Sequence, residues 1–204
     1  MSRGKFIVIE GGDGAGKDTQ IALLRKDVDP ERFVFVKDPG GTEIGEKLRE
    51  IILYRDDVSK KAEFFLYLAS RAQLTAEVIE PALQDGKHVV ANRFDLSTIA
   101  YQIYGRQRLD DIEFVSKVSN YAFGSTRPDL VIYLDCPAEE GLRRTHDSGE
   151  KLDRLEKEKL AFHERVREGY KKHLPEYNHV TIDALKSIDD VYQEVKSAVE
   201  LSVR

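Results

Sequence analysis

The chain has 204 residues, 41% of them hydrophobic and 34% charged, enough for one folded domain with a real core and too apolar for a disordered segment. A formal net charge of −5 excludes a non-specific binder of DNA or RNA polymers, which carries the opposite bias; any anionic ligand must be held by local positive groups against that field. Cys136 is the only cysteine, so neither an intrachain disulfide nor a cysteine metal site can form, in keeping with a reducing cytoplasm.

Residues 1–10 hold a short apolar run that leads directly into glycines and lack the length and cleavage site of a secretory signal. No stretch reaches the ~20 apolar residues that span a bilayer, so the chain reads as soluble and cytoplasmic, with no membrane partner. Strands are predicted at 5–10, 33–37, 88–92, 130–135 and 179–182. Helical patterns fall at about 17–28, 43–53, 60–84, 97–104, 110–123, 137–146, 153–173 and 187–202. Runs such as Phe6-Ile7-Val8-Ile9 and Leu130-Val131-Ile132-Tyr133-Leu134 are apolar without alternation, the pattern of strands buried on both faces of a parallel sheet. The alternation of strand and helix gives an α/β fold, three-layered, with a five-stranded parallel sheet flanked by helices and one domain over 1–204. In such sheets ligands lie beyond the carboxyl ends of the strands.

The segment after the first strand reads Gly11-Gly12-Asp13-Gly14-Ala15-Gly16-Lys17. This is G-x-x-x-x-G-K between a strand and a helix, the P-loop context. Successive backbone N–H groups turn inward there to cradle an anion, the helix start adds partial positive charge, and Lys17 adds a full one. Gly11 to Lys17, with Asp18 and Thr19 behind them, are therefore the candidate nucleotide-phosphate site. A serine or threonine normally follows the lysine, with its hydroxyl on Mg²⁺. Here the position is Asp18, the candidate metal ligand, and Thr19 points about 100° away around the helix.

Further motifs follow in order: Asp38-Pro39-Gly40-Gly41-Thr42, Ala69-Ser70-Arg71, Asn92-Arg93-Phe94-Asp95-Leu96-Ser97-Thr98-Ile99-Ala100-Tyr101-Gln102, Arg127-Pro128-Asp129-Leu130 and Asp153-Arg154-Leu155-Glu156. Together with the P-loop they resemble the thymidylate kinase family over nearly the whole chain. The resemblance implies a P-loop nucleoside-monophosphate kinase fold and transfer of the ATP γ-phosphoryl group to dTMP, giving dTDP, with Mg²⁺. Small-molecule partners, ATP and dTMP, and a homodimer through the helices after the second strand, with Phe64-Phe65-Leu66 contributing, are implied with it.

By resemblance, Asp13 accepts the sugar 3′-hydroxyl, and Arg49 and Arg93 hold the acceptor phosphate, where a planar fork suits bidentate contact. Tyr67 stacks on thymine, Arg71 donates to O4, Thr98 and Gln102 face N3, and Tyr101 lies under the deoxyribose. Asp38 stands where the family has a glutamate at the acceptor site, and Asn92 where it has the aspartate of its Asp-Arg pair. The catalytic group comprises Lys17, Arg93, Asp13 and cations of a lid at about 143–155. A family arginine belongs either in the P-loop, where this chain has Gly14, or in the lid, where His146 and Ser148 occupy the expected positions. Arg143, Arg144, Lys151 and Arg154 remain as donors, with Arg144 and Arg154 the candidates for catalysis. The residues alone leave other readings open: Arg49 in a surface ion pair, Tyr67 and Tyr101 as core, Asp13 as a solvated turn residue and Asp18 as a helix cap. A kinase of the same fold acting on dUMP or another deoxynucleotide, or a nucleotide-binding homologue that has lost turnover, remains as an alternative at this level.

Overall fold

The computed structural model describes residues 3–149 and 151–204; Met1, Ser2 and Glu150, the last within the expected lid, lie outside the described residues. Five strands, β1 (Phe6–Gly11), β2 (Phe33–Lys37), β3 (His88–Asn92), β4 (Leu130–Asp135) and β5 (His179–Asp183), form one parallel sheet in the order β2-β3-β1-β4-β5. Val8 of β1 is in register with Ala91 on one side and Val131 on the other. The chain leaves β1 for the β2 edge, returns to β3, then crosses past β1 to β4, so the segments after β1 and β3 meet at the change of direction. The continuous apolar runs have the expected cause. Ile7, Ile9, Ile132 and Leu134 face a core shared with α1 (Lys17–Asp27) and α9 (Ile188–Ser202), while Phe6, Val8, Val89 and Ala91 face another beneath Leu74, Leu83 and Phe123. Alternate side chains of one strand thus enter two layers.

Thr42 caps α2 (Glu43–Tyr54), its Oγ1 accepting from the Gly45 amide at 2.9 Å, and Ser59 caps α3 (Lys60–Leu74) in the same way. The helix predicted over 60–84 is three pieces: α3, a widened turn at Thr75–Ile79, and α4 (Glu80–Gln84). The helix expected at 97–104 starts earlier as α5 (Asp95–Thr98) and continues as a widened helical segment, Ile99–Gly105, packed along α8 (Leu160–His173). α6 spans Ile112–Phe123 and α7 spans Ala138–Asp147.

The prediction for 153–173 is corrected at its start, because the helix begins only at Leu160. Asp153 Oδ1 accepts from the amides of Leu155 and Glu156, and Glu156 Oε2 accepts from the Asp153 amide, each within 2.8 Å. That is a helix-starting arrangement, but Glu156-Lys157-Glu158-Lys159 offers no apolar stripe to bury, and the turn does not propagate. Phe64 lies in the core at 1% exposure, so of the Phe64-Phe65 pair only Phe65, at 52%, faces outward. No helix among the described residues is long and apolar enough to cross a membrane.

Candidate active site

The glycine-rich loop follows β1 directly, and α1 starts at Lys17 behind Gly16, which caps it in the left-handed conformation. Lys17 is 5% exposed, and its Nζ folds back to donate to the carbonyls of Gly12 at 2.7 Å and Gly11 at 3.1 Å. Burial and the neighbouring Arg93 charge, only partly offset by Asp13, pull its pKa down to about 8. Gly14 has φ of +69°, and a Cβ there would stand 2.0 Å from the carbonyl oxygen of Gly141 in α7. Conversely, a Cβ on Gly141 would meet the Asp13 carbonyl at 2.3 Å. The P-loop backbone therefore rests against α7 with no space for any side chain at 14, and an arginine is excluded from this position.

A cleft opens at the carboxyl ends of β1, β2 and β3. It brings together Asp13, Gly14, Lys17, Asp18, Asp38, Arg49, Tyr67, Arg71, Arg93, Thr98, Tyr101 and Gln102 from the sequence-derived set. Lys37, Pro39, Leu53, Asn92, Ser97, Asp153, Leu155 and Glu156 complete the wall. Thr19, on the exposed side of α1, does not line it.

Arg93 occupies the centre. Its φ of +70° is a strained backbone for an L-residue, of the order of 1–3 kcal/mol, and turns the side chain back over the P-loop. Its Nη1 donates to the Gly11 carbonyl and the Tyr170 hydroxyl, both at 2.8 Å, and its Nη2 to Asp13 Oδ1 at 2.5 Å and the Tyr101 hydroxyl at 3.0 Å. Beneath it Glu10, fully buried at the end of β1, accepts from the amides of Phe94 and Ser97 and the hydroxyls of Ser97 and Tyr170. Burial pushes the Glu10 pKa up, against Arg93 and these donors. Burial works the same way on Asp13, but there the charges of Arg93 and Lys17 prevail and hold its pKa below the ordinary value. His163 of α8 approaches Asp13 Oδ2 at 3.6 Å, and burial lowers its pKa, favouring the neutral ring.

The far end of the cleft is built on α3. Glu63, Tyr67 and Arg71, spaced by four along the helix, share one face. Arg71 is 1% exposed; its Nε donates to Asp38 Oδ2 at 2.5 Å, Nη1 to Thr98 Oγ1 at 2.6 Å and Nη2 to the Phe94 carbonyl at 2.9 Å. Because Asp38 balances its charge, the guanidinium sits in the cleft wall without an uncompensated field. Arg49, which also lines the cleft, donates to the Pro39 carbonyl at 2.8 Å.

At the mouth, Asn92 Nδ2 donates to the exposed Asp18 carboxylate at 2.9 Å, and Asn92 Oδ1 is buried with no partner. Asp18, which departs from the P-loop pattern, and Asn92, which departs from the family's Asp-Arg pair, are therefore in direct contact. The lid cations point elsewhere. Arg143 pairs with Glu140 and Asp147, while Arg144 pairs with Glu140 and donates to the Ala184 carbonyl at 3.0 Å. Arg154 binds Glu63 and the Ile52 carbonyl, filling acceptors left open by the last turn of α2. Neither Arg144 nor Arg154 lines the cleft, although Asp153 and Leu155 on either side of Arg154 do.

Glu10, Glu63, Ser97 and Tyr170 were not singled out by sequence reasoning. A signal existed for two of them: Glu10 is a charge inside an apolar strand, and Glu63 lies on the helix face that carries Tyr67 and Arg71. Tyr170 joins the site only through the packing of α8.

A phosphate loop, a central arginine and a charge-balanced polar end thus line a single cleft, and comparison with known proteins agrees with the motif order. The family model described as thymidylate kinase matches residues 9–195. The thymidylate kinase of Thermosipho africanus is 44% identical over 200 residues, covering 96% of this chain and 97% of that protein. That of Halothermothrix orenii is 40% identical over 203 residues, 97% of each, and that of Bacillus pumilus 40% over 205 residues, 97% of this chain and 95% of its own. With the family's motifs drawn into one cleft and the likeness running through nearly all of its length, this chain belongs to the thymidylate kinase family.

Proposed function

We propose that this chain transfers the γ-phosphoryl group of ATP to dTMP, giving ADP and dTDP. The observation that carries this reading is the composition of this cleft, which holds the P-loop residues Asp13, Gly14 and Lys17 together with Arg71, Thr98 and Gln102. The nucleophile is an oxygen of the dTMP phosphate, already ionised at neutral pH, so no general base is required and the work is positioning and charge neutralisation. A P–O bond forms to that oxygen as the bond between the γ-phosphorus and the β-bridging oxygen breaks. The P-loop amides and Lys17 hold the donor phosphates. Arg93, fixed through Nη1 by Gly11 and Tyr170, aims the acceptor phosphate by giving up an Nη2 contact to Asp13 or Tyr101, and Arg49 holds the same group. Asp13 accepts the 3′-hydroxyl, Tyr67 stacks on the base, Tyr101 supports the sugar, and Arg71 donates to O4.

The residues fit Mg²⁺, which keeps several waters and takes one or two protein oxygens beside nucleotide phosphates. The exposed Asp18 carboxylate would hold it, with the orphaned Asn92 Oδ1 adjacent; bound there, it would neutralise charge on the donor phosphates. A cation for the transferring group must come from the lid, because position 14 admits none. Arg154 suits this better than Arg144, since its neighbours already line the cleft.

We further propose a cytoplasmic protein that forms a homodimer, the dimer supported by the exposed Ile44, Ile51 and Tyr54 of α2, Phe65 of α3, and Phe114 and Tyr121 of α6. Sedimentation at micromolar concentration tests the dimer, a monomer contradicting it. Diphosphate formation from ATP and a panel of monophosphates tests the activity: dTMP should have the highest kcat/KM, and a purine monophosphate turned over best would overturn the assignment.

A further inference from the structure

Resting on the reading above, we infer that Glu63 is a positioning residue that selects the acceptor base, because its carboxylate turns the Gln102 amide so that the carbonyl faces the cleft. Gln102 is 1% exposed and lines the cleft; its Nε2 donates to Glu63 Oε1 at 2.7 Å, and its Oε1 is buried with no partner. A carboxamide has one donating and one accepting end. An ionised carboxylate only accepts, so it captures the NH₂ end and leaves the carbonyl for the ligand. Glu63 is itself fixed. Its side chain is fully buried, Oε2 accepts from Arg106 Nη2 at 3.0 Å and from Arg154, and Oε1 also meets Arg106 Nε at 3.2 Å. Burial opposes its ionisation, but Arg106 and the other donors prevail and hold its pKa below the ordinary carboxylate value.

The consequence is chemical selection at one atom. A carbonyl in this place accepts from the N3–H of thymine or uracil and meets the bare N3 lone pair of cytosine as a second acceptor. An amide turned the other way would favour cytosine. Discrimination built on such pairing exceeds that of apolar fit, because the wrong base leaves a buried polar group unpaired.

The main test is Glu63→Gln. Oε2 faces two guanidinium groups and Oε1 only one, at the longer 3.2 Å, so the new carbonyl keeps the Oε2 side, and the new NH₂ faces Gln102 and forces its amide to turn over. The kcat/KM ratio of dTMP to dCMP should fall at least about tenfold, the scale of one hydrogen bond to a buried partner. The value for dUMP should fall in parallel with that for dTMP, since both carry N3–H. In a Gln102→Leu background Glu63→Gln should leave the ratio unchanged, a coupling that simple damage to the fold would not produce. A second pair, Glu63→Met/Arg154→Met measured against Arg154→Met, removes both charges together and serves where Glu63→Gln does not melt cooperatively; its ratio should fall as well. An unchanged ratio in the folded variant, or the same fall with and without Gln102, overturns the inference. Wild-type protein that shows no preference for dTMP over dCMP overturns the functional reading itself, and the inference with it.

Discussion

Replacing Arg71 by methionine removes the charge that balances the cleft wall. Arg71 and Asp38 are 1% and 3% exposed, and their closest N–O separation is 2.5 Å. Loss of the guanidinium strands the Asp38 carboxylate and takes a donor from Thr98 Oγ1 and from the Phe94 carbonyl. Breaking a buried pair from one side costs about 3–5 kcal/mol, a large part of the ~5–15 kcal/mol by which domains are stable. Removing both partners in Arg71→Met/Asp38→Asn should recover a substantial part of that loss. The pH dependence has a definite sign. Burial already raises the Asp38 pKa against the opposing Arg71 charge, and without Arg71 it rises further, so over a wider window above the unfolded value the folded state binds a proton that the unfolded state does not. Stability of Arg71→Met therefore falls as pH rises through that window, and its deficit relative to wild type should be smaller at pH 5 than at pH 7. Urea unfolding of the four proteins of the cycle at both pH values measures this. A single-variant cost under about 1 kcal/mol at pH 7, or a deficit that grows at pH 5, would refute the argument. Because fold and acceptor recognition share this residue, loss of dTMP affinity in Arg71 variants must be measured on the folded fraction, with ATP affinity as the reference.

Gly14→Ala puts a methyl group 2.0 Å from the Gly141 carbonyl on a backbone that itself costs an L-residue about 1–2 kcal/mol; a thermal melt should show a loss of at least that size with weaker ATP binding, and an unaltered protein would contradict the packing. For Lys17, with its pKa near 8, phosphate binding restores the charge, so donor binding above pH 8 should take up close to one proton and weaken as pH rises further; calorimetry in two buffers of different ionisation heat at pH 8.5 reads this directly, and no proton uptake sinks it. Asn92→Asp sets a second carboxylate against Asp18, where the amide now donates at 2.9 Å, so Asn92→Asp and Asp18→Thr should each lower activity and shift its Mg²⁺ dependence, with the double variant recovering. Strictly additive losses would separate the two positions.

Much of this was legible before any coordinates. Strands buried on both faces carry an unbroken apolar pattern, and the phosphate loop is written in contiguous residues whose backbone does the work, so Gly11 to Lys17 needed no tertiary information. Arg93 was readable because it directly follows an apolar strand. The helix interruptions were less so: at 153–158 a complete set of capping residues starts a turn, and only the want of an apolar stripe stops it. Glu63 and Gln102, 39 positions apart, meet only through the packing of α3 against the widened segment at Ile99–Gly105, and no local pattern records which end of an amide faces a cleft. Arg144 follows from the family's placement of a lid at about 143–155, which does not show that Glu140, one helical turn away, pairs with it, a local pairing common on exposed helices.

The most direct test of the account is the rate of diphosphate formation from ATP with dTMP, dUMP, dCMP, dGMP and AMP, each assayed at several free Mg²⁺ concentrations. The account predicts the highest kcat/KM for dTMP, a lower one for dCMP and activity that rises steeply with Mg²⁺. Preferred turnover of a purine monophosphate, or no diphosphate from any acceptor, would contradict it.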